Sequence, residues 1–194
     1  VANSPGADDN ATGVVGLLEL ARLFKENPPR ASLRFIFFDA EERGLLGSRH
    51  YVRKPDHLKE LRGVIVLEMI GYTCSKPGCQ AYPDGIPNLL RRSEGRFIAV
   101  VGNVENLELM SAFKRAGRMS GGDVVAIPVP NQGLKMPDTR RSDHAPFWDH
   151  GVGAVMVTDT ANFRNPHYHT VNDSPDTIDI GFFRDTVELA YRSV

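Results

Sequence analysis

Two carboxylate clusters stand out in this sequence: Asp8-Asp9-Asn10 near its start and Asp39-Ala40-Glu41-Glu42 just after an apolar run. Singly, neither says much. Acidic pairs are common at helix starts, where they accept from free backbone N–H groups and face the positive end of the dipole. Together with His169 near the other end, they supply three oxygen or nitrogen ligands and one carboxylate to spare. Such a set suits zinc, which takes mixed nitrogen and oxygen donors and acidifies bound water. The chemistry implied is metal-assisted hydrolysis, with the spare carboxylate moving the proton.

The elements that must position these groups can be read from apolar spacing. Residues 11–26 predict an amphipathic helix, with Val14, Leu17, Leu18, Ala21 and Phe24 at helical intervals. Asn10 or Asp9 is its expected N-cap, and Pro28-Pro29 ends it. The run LRFIFF at 33–38 predicts a buried strand, and a helix follows from 44 to 54, stopped by Pro55. Further strands are expected at 63–69, 97–101, 124–129 and 152–158. Between them fall a helix over 104–118, packing Leu107, Met110 and Phe113, and a short helix over 143–149. A last helix starts near Gly181. Strands alternating with helices predict one three-layer α/β/α domain over residues 1–194, with a largely parallel, mixed central sheet. Two loops rich in Pro and Gly, at 73–96 and 128–141, interrupt the pattern.

In such sheets functional groups collect beyond the carboxyl ends of the strands. Asp39, Glu41 and Glu42 lie just past the run ending at Phe38, and Glu68 closes the strand GVIVLEM. Asp9 lies in the loop entering the first helix, where Pro5-Gly6 lets the backbone turn. Each reads by itself as a solvated turn carboxylate. Glu68 is the exception, because a carboxylate inside so apolar a strand must be paired, protonated or bound to metal. Of six histidines, His50 and His57 read as surface or packing residues. Ser142-Asp143-His144 reads as a helix cap with an outer hydrogen bond to the site, and His167 and His169 are expected on opposite sides of their segment.

The bulk composition excludes several classes. With 41% hydrophobic and 24% charged residues and a net charge of −1, the chain offers no basic field for nucleic acid and no bilayer-spanning apolar run. It begins at Val1 with no signal peptide visible, which reads as a processed or excised piece. Cys74 and Cys79 flank a Pro77-Gly78 turn that can bring their sulfurs together. The sequence leaves a disulfide and two free thiols equally open, and export would favour the bond.

The segments SPGADDNATGV, FIFFDAEERGLLGSRHY, VLEMIGY, RSDHAPFW and HYHTVNDSPDTID, in that order, resemble the zinc aminopeptidase family with two co-catalytic metals, which is related to glutaminyl cyclases. The resemblance runs from Ser4 to about Ile180. It implies that Asp9 bridges two zinc ions, Glu41 is the general base, Glu42 and His169 complete the first site, and Glu68 binds the second zinc. Tyr168 and Arg141 resemble positions that steady the substrate or its tetrahedral oxyanion, and Asp143 resembles an outer, supporting residue. Two departures accompany these matches. The family's His-x-Asp ligand, upstream of the ADDN segment, is absent, so a fragment lacking the opening strands and one ligand of the second site is expected. Glu68 stands where many relatives carry Asp. The implied substrate is a peptide with a free N-terminus, and the implied location is secreted or periplasmic. The rival readings are a single-zinc glutaminyl cyclase and a non-catalytic binding domain of the same fold.

Overall fold

The computed structural model describes residues 3–104 and 107–194. Apolar runs bounded by turn residues form four strands, β1 (Val64–Glu68), β2 (Ile98–Asn103), β3 (Val124–Val129) and β4 (Ala154–Thr158). The helices are α1 (Gly13–Glu26), α2 (Leu46–Val52), α3 (Pro55–Leu58), α4 (Leu107–Ser120), α5 (Ala145–Asp149) and α6 (Ile180–Arg192).

The sheet order is β1-β4-β2-β3. β1 runs parallel to β4 and β2 parallel to β3, while β4 and β2 meet antiparallel. Side chains alternate across the sheet and split the core in two. One face packs Leu67, Val100, Val155 and Val157 against Leu20 and Phe24 of α1, Phe113 of α4 and Val187 of α6. The other packs Val101, Ile127 and Met156 towards Val52 of α2 and Phe147 and Trp148 of α5. This is the expected α/β/α layering with a mixed sheet. Because β1 and β4 are parallel, Glu68 and Thr158 pair in register at the same edge of the sheet. That edge carries the site.

Local sequence explains most boundaries. Lys54 is extended because Pro55 follows it, so the helix expected over 44–54 breaks there into α2 and α3. Asn10 caps α1 from outside, accepting from the amide of Gly13, and Asp9 has no part in the cap. Two expectations fail. The run at 33–38 forms neither helix nor strand and joins no ladder among the described residues. Phe35 and Phe38 pack against the two cores, Leu33 and Phe37 stay exposed, and Arg34 ties the segment to the Tyr51 hydroxyl and the His57 carbonyl. An apolar run becomes a strand only where a neighbour takes its backbone groups. Leu107 is exposed at the first position of α4, while Met110 and Phe113 further along are buried. Positions 105 and 106, at the start expected for this helix, lie outside the described residues. Cys74 and Cys79 form a disulfide beside an antiparallel bridge between Cys74 and Gly95.

Candidate metal centre and its cleft

The turn bearing Asp9 is fixed from several sides. Gly6 is left-handed, and a Cβ there would stand 2.8 Å from the Asp9 carbonyl oxygen, so the approach needs glycine. Asn10 then pins the turn to the end of β1, donating to the Leu67 carbonyl at 3.0 Å and accepting from the Met69 amide at 3.0 Å. Asp8, fully buried, points away from the site and accepts from the Gly71 amide and the Asn165 side chain. Adjacent aspartates thus take opposite directions, one structural and one towards the cleft.

The two glutamates separate in the same manner. Glu41–Arg43 is a single tight helical turn between left-handed Ala40 and Gly44. Its curvature sends Glu42 towards His169 and Glu41 into the cleft. His169, on a segment 160 positions after Asp9, has a left-handed backbone itself (φ 59°). A non-glycine residue held there is strained, and such strain is often retained at functional sites.

His169 Nε2 lies 3.0 Å from Asp9 Oδ2 and 2.9 Å from Glu42 Oε1. Despite this proximity the buried nitrogen has no hydrogen-bond partner, because neither oxygen lies along its donor direction. The ligand atoms of Asp9, Glu42 and His169 all lie within 4.8 Å of one another. Zinc bonds of about 2.0–2.2 Å to nitrogen and oxygen call for ligand atoms at such spacings. An orphaned imidazole nitrogen converging with two carboxylates is a donor set that fits a zinc ion. In the absence of a cation the set repels itself: burial and the Glu42 charge raise Asp9 to about 6, against the pull of His169.

Glu41 is pushed up to about 7, first by burial and then by Asp143, Glu42 and Asp9, with Arg141 opposing. Glu68 is raised well above the usual carboxylate range by burial, although Ser142 Oγ donates to its Oε2 at 2.6 Å. Asp143 accepts from Ser48 Oγ at 2.5 Å, and His144 Nε2 lies 2.8 Å from the Thr139 carbonyl. No side chain caps α5, so the helix-cap reading of Ser142-Asp143-His144 is corrected. The three side chains instead hold Glu68, meet Ser48 and fill the core.

Arg141 Nη2 donates to the Tyr168 hydroxyl at 3.0 Å, and the Tyr168 ring stacks on His169 with centroids 3.7 Å apart. Asp9, Glu41, Glu68, Arg141 and Tyr168 line one end of a cleft. Its floor is Val101, Ile127 and Met156 of the sheet, and its walls include Tyr82, Ile86 and Phe163. The structure therefore brings all seven sequence-predicted site residues to one place. His167 turns the other way, edge-on to Tyr72, because residues 166–169 form a turn; strand alternation would put positions two apart on one side.

The family model for peptidase family M28 matches residues 1–194. The chain belongs to peptidase family M28. Escherichia coli YfbL, an uncharacterized protein, is 37% identical over 178 residues, covering 90% of this chain and 54% of that protein. Bacillus subtilis aminopeptidase YwaD is 34% identical over 192 residues, covering 90% of this chain and 34% of its own length. A solved zinc aminopeptidase from Bacillus subtilis superposes with a TM-score of 0.73 at 26% identity, over 100% of this chain and 42% of that one. The M28 chain thus spans between a third and about half of the length of these relatives.

Sequence reasoning passed over the residues that support the M28 site. In the sequence Asn10 reads only as a cap, and Ser142 as part of a cap with an outer hydrogen bond whose partner the sequence does not name. Asp173, buried and accepting from the amides of Asp8 and Asp9, carried no role at all. The available signal was polar residues inside apolar or turn contexts, each needing a partner once buried.

Proposed function

We propose that this chain carries the catalytic groups of a zinc-dependent aminopeptidase. The observation that carries the reading is the convergence of His169 Nε2 with Asp9 and Glu42 without a hydrogen bond between them. Asp9, Glu42 and His169 would hold one zinc ion, and Asp9 with Glu68 would contribute to a second. When bound, zinc polarises a peptide carbonyl and makes water a nucleophile near neutral pH. Glu41 would take a proton from the attacking water and return it to the departing amine, a task suited to a partly desolvated carboxylate. Arg141 and Tyr168 hydrogen-bond the substrate backbone at the cleft rim. Carboxylates at the inner end attract a free N-terminal amine, and the apolar floor receives the first side chain, favouring apolar residues. The Cys74–Cys79 disulfide supports an exported, oxidising location.

The test is zinc content by elemental analysis after loading and exhaustive dialysis, with hydrolysis of a leucyl anilide measured alongside. About one zinc per chain, lost in Glu42→Ala and His169→Ala, supports the centre. Zinc uptake unaffected by either change overturns it. Cyclisation of an N-terminal glutaminyl peptide without peptide cleavage would move the assignment to the cyclase reaction.

A further inference from the structure

Beneath the centre lies a residue that touches no proposed ligand atom yet governs where one of them sits. Asp173 is fully buried. Its Oδ1 accepts from the amide of Asp8 at 2.9 Å and its Oδ2 from the amide of Asp9 at 3.1 Å. Its own carbonyl accepts from the amide of Ala7 at 3.1 Å. Three successive amides of the Asp9 turn therefore end on one residue, 164 positions from Asp9 in sequence.

Asp173 also belongs to the turn that presents His169. Its amide donates to the Thr170 carbonyl, while the amide and hydroxyl of Thr170 both reach the His167 carbonyl. Asp9 and His169 come from opposite ends of the chain, and Asp173 bonds directly to both of the turns that carry them. We infer that Asp173 is a positioning residue that fixes the Asp9 carboxylate against His169, and so sets the metal affinity of the centre. The inference rests on the metal-centre reading above.

The geometry explains why an aspartate is needed there. The Asp9 amide is one bond from the Cα that carries the ligand carboxylate. Holding it together with the preceding amide fixes the intervening peptide plane, and with it the direction of the side chain. Two acceptor oxygens are required, because both facing groups are N–H donors. Asparagine keeps the shape but turns an NH₂ group towards one of those donors, which replaces a hydrogen bond with a donor–donor conflict. Outer partners of metal ligands are typically worth about 10–100-fold in metal affinity.

The experiment measures zinc and cobalt(II) dissociation constants by competition with a chromophoric chelator, the cobalt(II) absorption spectrum, and the Tm of the metal-free chain. The chains compared are wild type, Asp173→Asn and Thr12→Val. Thr12 is a control of similar burial: its hydroxyl donates to the Asp8 carbonyl and accepts from the Ile70 amide, without touching Asp9. Expected are a fall in Tm for both variants, at least about tenfold weaker metal binding only in Asp173→Asn, and an altered cobalt spectrum only there. Equal metal affinity in wild type and Asp173→Asn overturns the inference and leaves Asp173 a purely structural residue. So does equal weakening in both variants. If Asp173→Asn does not fold, Asp173→Glu is read instead, since its longer arm displaces both acceptor oxygens from the amides of Asp8 and Asp9, and an unchanged dissociation constant there is equally fatal. A wild-type chain that binds neither metal overturns the metal-centre reading itself, and the inference falls with it.

Discussion

Ser142 Oγ donates a 2.6 Å hydrogen bond to Glu68 Oε2, so a hydroxyl from the loop before α5 holds the carboxylate that closes β1. Burial drives Glu68 towards its protonated form, and Glu41, Asp9 and Asp143 add to the effect, while Ser142 opposes it. A hydrogen bond to the charged form favours that form, so Ser142→Ala should raise the titration midpoint of Glu68 further. Carboxyl NMR of glutamate-labelled protein, with Glu68→Gln for assignment, reads the shift. An unmoved midpoint would mean that Ser142 contributes nothing to the charge state of Glu68.

Glu41 and Glu42 are neighbours with separate tasks, so their substitutions should separate too. Glu41→Gln keeps the shape of the cleft and the Asp9, Glu42 and His169 set, and removes the base. Hydrolysis should fall by about 10²–10⁴-fold while zinc content stays at the wild-type level. Glu42→Ala should lose both. The pH profile carries a sign as well. Glu41 acts unprotonated, so kcat/KM must fall on the acid side. The midpoint near 7 without metal is set by burial and three acidic neighbours. A bound cation stabilises the charged form, so the acid limb of the zinc-loaded protein should lie below 7 and move up when zinc is depleted. A Glu41→Gln chain with undiminished turnover would remove Glu41 from the reaction.

The disulfide bears on the cleft through the residues after it. Cys79 is followed by Gln80, whose Nε2 donates to Thr160 Oγ1 at 2.8 Å and whose Oε1 accepts from Arg164 Nε at 2.8 Å. The Ala81 amide then donates to the Phe163 carbonyl at 2.7 Å. Ala81, Tyr82 and Pro83 are cleft wall, and so are Thr160 and Phe163 across from them. A closed loop this short stabilises by about 2 kcal/mol through the unfolded state. Reduction should lower Tm and raise KM for apolar substrates several-fold, with zinc content unchanged. Thermal melts and kinetics of a Cys74→Ser, Cys79→Ser chain check it, and an unaltered KM would detach the loop from substrate binding.

The layered fold was legible because its strands are continuous apolar runs and its helices carry clear stripes, as at Leu20 and Phe24 or Met110 and Phe113. The run at 33–38 was misread because its composition is that of a strand, while pairing depends on a neighbour that composition does not reveal. Of the site, Glu68 was visible at a strand end, and the other charged ligand candidates as acidic clusters and motifs. Their supports were not. Ser142, Asn10 and Asp173 are small polar residues whose partners lie far off in sequence, at Glu68, Leu67 and Asp9. Only the folded chain shows which buried donor meets which acceptor.

His144 should make stability fall with acid over a defined window. It is fully buried, with Nε2 lying 2.8 Å from the Thr139 carbonyl and Nδ1 without a hydrogen-bond partner. A proton added at Nδ1 would find no acceptor, and Arg140 would repel it. Burial, foremost, holds this histidine down at about 4, from an ordinary 6.5. Above 6.5 both folded and unfolded chains carry it neutral, and its contribution is complete. Between 6.5 and 4 only the unfolded chain takes up the proton, so stability is lost as pH falls, up to about 3 kcal/mol at the lower end. Asp8, Asp143 and Asp159 are raised by burial and act in the opposite sense, gaining stability with acid. They are common to wild type and a His144→Leu chain, so the difference between the two isolates the histidine. His144→Leu loses the bond to Thr139 and should be the less stable at pH 7.5, yet its stability should drop less between pH 7.5 and 5, by up to about 2 kcal/mol. Urea unfolding at a series of pH values measures both slopes, and parallel slopes would show that His144 takes up its proton as readily folded as unfolded.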